Sequence, residues 1–204
     1  MSDRNDDARA ESGNGANVRV AHLCLPMPGE RENGDAVFVR HGEGKQTQLA
    51  VIDGLGHGPE AAQASRAALE LLASLAIGTS VLDAIQAVHR ALRGTRGAAA
   101  TLCFMNGPRL EICAVGNVGL MSVNCVIPLV VSAGVLGHQV AKFRICSCDV
   151  SPRARFGLLS DGVSLRFRLE ELKHLDPAQA CRFIFDRYRR KEDDATVLIA
   201  DVLS

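Results

Sequence analysis

The sequence predicts an α+β fold: two antiparallel β-sheets stacked as a sandwich and flanked by helices. Three observations lead there. Apolar runs of strand length follow one another in long series, which favours antiparallel sheets. Stretches with helical spacing arrive in pairs, as elements covering sheet faces would. The chain has 204 residues and is 47% hydrophobic, enough for one domain with a substantial core.

Residues 1–17 are rich in Asp, Arg, Ser, Gly and Asn and have no apolar period. They are expected to form a disordered tail, leaving 18–204 as the folded domain. The run 18–25 reads as a strand and stops at Pro26-Met27-Pro28-Gly29. Two more strands are expected at 35–40 and 48–52, the second ending at Asp53-Gly54. Pro59 suits a first helical turn, where its missing N–H costs nothing. Ala61, Ala64, Ala68, Leu71, Leu72 and Leu75 then recur at helical spacing until Gly78-Thr79-Ser80. Ser80 is a credible N-cap for a second helix, with Leu82, Ile85, Val88, His89 and Leu92 on one side and Gly94 closing it. The pair reads as an antiparallel helical hairpin.

Strand patterns return at 101–105 and 110–115, which flank Asn106-Gly107-Pro108-Arg109, a hairpin signal. Further strands are expected at 120–131, 140–150 and 156–160, the last stopping at Asp161-Gly162. Residues 169–175 and 178–189 read as helical, and 196–203 as the final strand, entered from Asp193-Asp194. There is no internal repeat.

Bulk electrostatics point to neither a nucleic acid nor a membrane surface, because the formal net charge is zero. No apolar run reaches the roughly 18 residues of a membrane span. The N-terminus lacks the basic start and apolar stretch of a secretory signal. Seven cysteines, an odd number mostly inside apolar runs, read as reduced thiols rather than a disulfide framework. Cys146 and Cys148 would share one face of a strand but lack the spacing of a zinc site. A cytoplasmic protein is expected.

Aspartates stand where strands stop or start: Asp35 after Gly34, Asp53 before Gly54, Asp161 before Gly162, and Asp193 ahead of the last strand. Any one Asp-Gly after a strand is an ordinary turn. Several at one rim of a sheet are a different matter. Clustered carboxylates repel and raise each other's pKa unless a cation neutralises them. Hard oxygen ligands suit Mg²⁺ or Mn²⁺. The stretch Asp53-Gly54-Leu55-Gly56-His57-Gly58 has glycines spaced to let the backbone approach a ligand closely, but no Gly-Lys-Ser/Thr ending of a Walker loop.

Gly34-Asp35, Asp53-Gly54-Leu55-Gly56-His57-Gly58, Ala114-Val115-Gly116-Asn117-Val118-Gly119, Ser160-Asp161-Gly162 and Asp193-Asp194-Ala195-Thr196 occur in this order. Together they resemble the PPM-type metal-dependent serine/threonine protein phosphatases, in particular their bacterial SpoIIE-like branch. The resemblance covers nearly all of the chain after the tail. The short single-domain form looks most like the RsbX-like feedback phosphatase of stressosome and sigma-B-type pathways.

The resemblance implies an αββα sandwich and two Mn²⁺ or Mg²⁺ ions. It implies that Asp53 bridges the ions, that Asp35 and the carbonyl of Gly54 serve one of them, and that Asp161 and Asp193 serve the other. It implies in-line attack by a metal-bridging water with no phosphoenzyme. Asp193 is preferred over Asp194 because the first residue of the family's motif is the ligand. The implied partner is a phosphorylated protein, a stressosome or anti-sigma pathway component. One acid, not two, occupies the first motif, as in the bacterial branch. No arginine matches the phosphate-binding arginine of the eukaryotic enzymes; Arg19, Arg31 and Arg40 are the nearby candidates, and surface solvation explains each equally well.

His57 either acts as a general acid toward the leaving oxygen or only shapes its turn. His22, inside a strand, reads as a core histidine, and His138 and His174 as surface residues. The helical hairpin begins directly after the metal loop, so a shift of it would move Asp53 and Gly54; otherwise it only covers the sheet. Two other functions stand beside the phosphatase: a non-catalytic phosphatase-like binding module, and a metal-dependent hydrolase of small phosphoesters. Retention of all four acids speaks against the first, and the lack of a nucleotide loop against the second.

Overall fold

The computed structural model describes residues 11–14 and 17–203. The strands are β1 (Glu11–Asn14), β2 (Val18–Leu25), β3 (Asp35–His41), β4 (Gln46–Gly54), β5 (Ala98–Asn106), β6 (Arg109–Val115), β7 (Gly119–Val123), β8 (Ile145–Asp149), β9 (Arg155–Leu159) and β10 (Ala195–Val202). The helices are α1 (Pro59–Ser74), α2 (Val81–Ala91) and α3 (Pro177–Tyr188), with a 3-10 turn at Leu169–Leu172. One sheet has the order β1-β2-β10-β9-β7 and the other β3-β4-β5-β6-β8; every ladder between named strands is antiparallel. The α+β sandwich flanked by helices is the observed architecture.

Alternation along each strand builds the layers. In β4, Leu49 and Val51 pack between the sheets, while Ala50 and Ile52 pack under α1 and α2. In β10, Leu198, Ala200 and Val202 point inward, and Val197 and Ile199 meet α3. Both strands are buried on both faces, so their apolar runs are nearly unbroken.

The helices form where their ends are specified. Pro59 opens α1. The Ser80 hydroxyl accepts from the Asp83 amide and caps α2. Asp176 and Gln179 form a reciprocal capping box on α3. The small residues Ala61, Ala64 and Ala68 let α1 lie close on its sheet, and α1 also touches α2, so the expected helical hairpin is present.

Two sequence expectations are corrected. The segment 120–131 is a strand only over Gly119–Val123, and 140–150 only over Ile145–Asp149. Between them the chain is a loop with isolated bridges such as Val115–Ser132 and Gly134–Val140. Pro128 has no amide to donate. Gly134 and Gly137 adopt φ of 133° and 92°, which a regular strand does not. The expected tail, 1–17, lies mostly outside the described residues, but its 11–14 stretch pairs with β2 as β1, from Glu11–His22 to Asn14–Arg19.

Candidate metal centre

The same alternation that fills the core aims carboxylates into one end of it. Val37 and Val39 of β3 face the space between the sheets, so Asp35 does too. Leu49 and Val51 of β4 face it, so Asp53 follows. In the opposing sheet Phe156 and Leu158 place Ser160 inward, and Leu198 and Ala200 place Thr196 inward. Asp35 and Asp53 are register partners, which puts two like charges on adjacent strands. Asp161 follows β9 directly and Asp193 precedes β10. Asp161 lies within hydrogen-bonding reach of both Asp53 and Asp193. The structure thus brings Asp35, Asp53, Gly54, Asp161 and Asp193 to one rim of the sandwich.

Glycines make the rim tight enough. A Cβ on Gly54 would stand 2.3 Å from the Ala61 carbonyl in the first turn of α1. A Cβ on Gly162 would stand 1.8 Å from the Asp194 carbonyl. So the turn after Asp161 can cross the approach to β10 only without a side chain.

The electrostatics are those of acids packed without a cation. Burial pushes the Asp53 carboxyl up to about 9, and the charges of Asp35, Asp161 and Asp193 push the same way. Asp35 is pushed up to about 7, first by burial and then by Asp194 and Asp193, against hydrogen bonds from Ser160 and Thr196. Asp193 is raised by burial and by Asp161. The Oδ2 atoms of Asp35 and Asp53 are buried and have no hydrogen-bond partner. Divalent cations fit this donor set: hard oxygens, excess negative charge and two orphaned oxygens. Among the described residues no group of three or more His, Cys, Asp and Glu stands positioned to hold a metal ion by itself. Mg²⁺ asks less of the protein, since it is bound through one or two carboxylates and keeps several waters.

Asp194 has a different task. Its two oxygens accept from the amides of Met27 (2.7 Å) and Gly34 (2.9 Å), closing the 26–34 loop over the site. Both are committed to backbone, which leaves Asp193 as the acid free to face a cation. Sequence reading missed Asn117, whose Nδ2 donates to Asp161 Oδ2 at 2.5 Å. Thr101 holds the turn that carries it by donating to the Val118 carbonyl, 3.1 Å away. The sequence marks the Gly116-Asn117 turn, but the contact of Asn117 to Asp161 spans 44 positions and leaves no local signal. Asn33 donates to the Cys24 sulfur, the Thr196 hydroxyl lies 3.0 Å from it, and burial pushes that thiol up to about 12.

Other candidates sit elsewhere. His57 is exposed and pairs with Glu30 at 2.9 Å, bracing the glycine loop against the 26–34 loop. Arg40 is engaged by Gln48 and by the Leu75 carbonyl, toward the far end of β3 from Asp35. Arg19 lies opposite Asp201 in the β2–β10 ladder, also far from the rim. All seven cysteines are free thiols.

The family model for stage II sporulation protein E (SpoIIE) matches residues 43–203. The phosphoserine phosphatase RsbX of Bacillus subtilis is 26% identical over 188 residues, which cover 87% of this chain and 92% of that one. A chain in a structure of the bacterial stressosome, a modular system adapted to control secondary messenger signalling, is 32% identical. It superposes with a TM-score of 0.83 over 90% of this chain and 98% of its own. A crystal structure of RsbX in complex with magnesium gives a TM-score of 0.84 at 22% identity, covering 95% and 99% of the two chains. The catalytic domain of the phosphatase PstP with two manganese ions gives 0.72 at 19% identity, covering 92% and 99%.

Proposed function

The chain belongs to the SpoIIE family of PPM-type metal-dependent protein phosphatases, and from that premise we propose that it removes phosphate from phosphoserine or phosphothreonine of a signalling protein. The observation that supports the reading best is the pair of orphaned inner oxygens on Asp35 and Asp53, buried among further acids at one rim. Two Mn²⁺ or Mg²⁺ ions held there would neutralise the acids and supply Lewis-acid chemistry, activating water and stabilising charge on the phosphoryl oxygens.

The chain's own groups prepare the site for that. Asp53 feels the charges of both Asp35 and Asp161. Asp35 and the Gly54 carbonyl would hold one ion and Asp161 and Asp193 the other, with Asp53 serving both. The Ser160 and Thr196 hydroxyls favour the ionised, ligating form of Asp35. Asn117 fixes the orientation of Asp161. Asp194, by closing the 26–34 loop, restricts water at the rim. His57, paired with Glu30, holds the loop shape.

The relatives support a phosphorylated component of a stressosome or anti-sigma pathway as the partner. Reduced thiols fit a cytoplasmic place of work, and no described helix is long and apolar enough to cross a membrane. The test is hydrolysis of an aryl phosphate and of a phosphoserine protein with Mn²⁺, then with chelator, for wild type and Asp161→Ala. Chelator-sensitive turnover lost in the variant is expected. Folded, metal-binding protein without turnover on any phosphoester would turn the reading to a binding module.

A further inference from the structure

Beside Asp161 the rim opens into a cavity of about 320 Å³ whose charged lining is Asp161 itself and two arginines, Arg166 and Arg190. Both arginines are exposed. The side chain of neither has a hydrogen bond or ion pair among the described residues. Among the described residues four other arginines are paired with carboxylates: Arg66 with Glu32, Arg96 with Glu60, Arg109 with Asp149, Arg155 with Asp201. Arg166 and Arg190 have no such partner and flank a cavity that ends at a candidate metal ligand.

Their positions are fixed by backbone. The Arg190 amide donates to the Gly162 carbonyl at 2.8 Å, tying it to the turn that carries Asp161. The Ser164 amide donates to the Tyr188 carbonyl at 2.8 Å, so the segments bearing the two arginines run side by side. Leu165, half exposed, seats against Gly119 and forms an apolar wall; a Cβ on that glycine would lie 3.1 Å from it. The cavity thus offers two cations carried on fixed backbone and an apolar side next to the place where a phosphoryl group would be attacked.

We propose that this cavity is the substrate-recognition subsite of the phosphatase and that it takes acidic side chains flanking the phosphorylated residue. The inference rests on the phosphatase reading. Its physical basis is charge complementarity: guanidinium forks pair with carboxylates bidentately, and a neighbour with basic flanks meets like charge. Mobile, exposed pairs give selectivity rather than great affinity.

The experiment compares three phosphoserine peptides of one core sequence, flanked by Glu, Ala or Lys, with wild type, Arg166→Ala/Arg190→Ala and Arg166→Glu/Arg190→Glu. Turnover with Mn²⁺ gives the ratio of kcat/KM between flanks, which normalises for any general loss of activity. Anisotropy of the labelled peptides gives binding without turnover. In wild type the Glu-flanked peptide is expected to be preferred over the Ala-flanked one by about five- to tenfold, two exposed ion pairs' worth, with the preference shrinking as salt rises. The alanine pair removes the preference and the glutamate pair turns it toward the Lys-flanked peptide. A preference unchanged in both variants overturns the inference. So does an equal loss on all three peptides, which would make the arginines binders of the phosphoryl group itself. Turnover without flank preference sinks the subsite and leaves the phosphatase standing. Flank-selective binding that depends on the arginines, without turnover, does the reverse.

Discussion

Strand β10 carries acids at both of its ends, and the two ends are treated in opposite ways. At Asp201 the fold supplies a cation: Arg155 donates two hydrogen bonds to it at 2.6 and 2.7 Å and two more to the Leu172 and Leu175 carbonyls. The arginine side chain there is only 6% exposed. At the start of β10, Asp193 joins Asp35, Asp53 and Asp161, and among the described residues no basic side chain is hydrogen-bonded or ion-paired to them. One end is a finished structural ion pair; the other is an ion pair lacking its cationic half. The difference teaches where the molecule holds itself together and where it waits for something from solution.

The largest effect that would break this comparison is at the unfinished end. Asp53→Asn removes the shared carboxylate and is expected to lower Mn²⁺-dependent turnover by about a thousandfold, the share that metal chemistry contributes. The same change should raise the melting temperature of the metal-free protein near neutral pH, since folding no longer has to protonate a buried carboxyl that is ionised in the unfolded chain. At the finished end the sign reverses. Arg155→Met leaves Asp201 without its cation and is expected to cost about 3 kcal/mol in urea unfolding, while the folded fraction keeps its Mn²⁺ affinity by titration calorimetry. If Asp53→Asn destabilised the metal-free chain as Arg155→Met does, the two ends would be alike and the reading of the rim would fail.

A pH scan sharpens the contrast. Folded Asp53 titrates near 9 and folded Asp35 near 7, against an ordinary 3.8. Across that window the folded, metal-free chain holds protons that the unfolded chain has released. Its stability therefore falls as pH rises from about 4 to about 9. Saturating Mn²⁺ displaces those protons, so the melting temperature in metal should be flat or rise over the same range. Coincident slopes with and without metal would count against cation binding by these acids. The smallest effect is expected one contact out. Asn117→Ala frees Asp161 to turn and should weaken Mn²⁺ binding by about tenfold, read by the same titration, without altering the fold.

Part of this rim was legible in the strand period, because Asp35 and Asp53 each sit two residues from an inward-facing valine, whereas Asp161 and Asp193 lie just outside β9 and β10. Val51 to Asp53 and Val37 to Asp35 are steps of one strand period, and period two decides the face. What could not be read involves partners far apart in the chain. The use of Asp194 by the amides of Met27 and Gly34 is one case, and the grip of Asn117 on Asp161 another. The 124–144 loop misled for a different reason. Its run from Cys125 to Val131 is as apolar as a strand, yet only part of it is buried: Ile127 joins the core while Val126 is 88% exposed. Hydrophobicity marks what is available for burial, and tertiary packing decides what is used. Strand β1 was hidden conversely, since backbone pairing to β2 needs no apolar signature.

The middle strand of one sheet is β10, although it follows the other nine strands in the chain. During synthesis β2 and β9 are made first and must wait, with unpaired edges, for residues 195–202 to slot between them. Asp193 emerges with that same strand. The nascent chain consequently completes this sheet and its acid rim together, and a product cut short before Asp193 has neither. Such a fragment would be a ready client for chaperones, exposing the edges on which strands aggregate, and it could not act as a partly working enzyme.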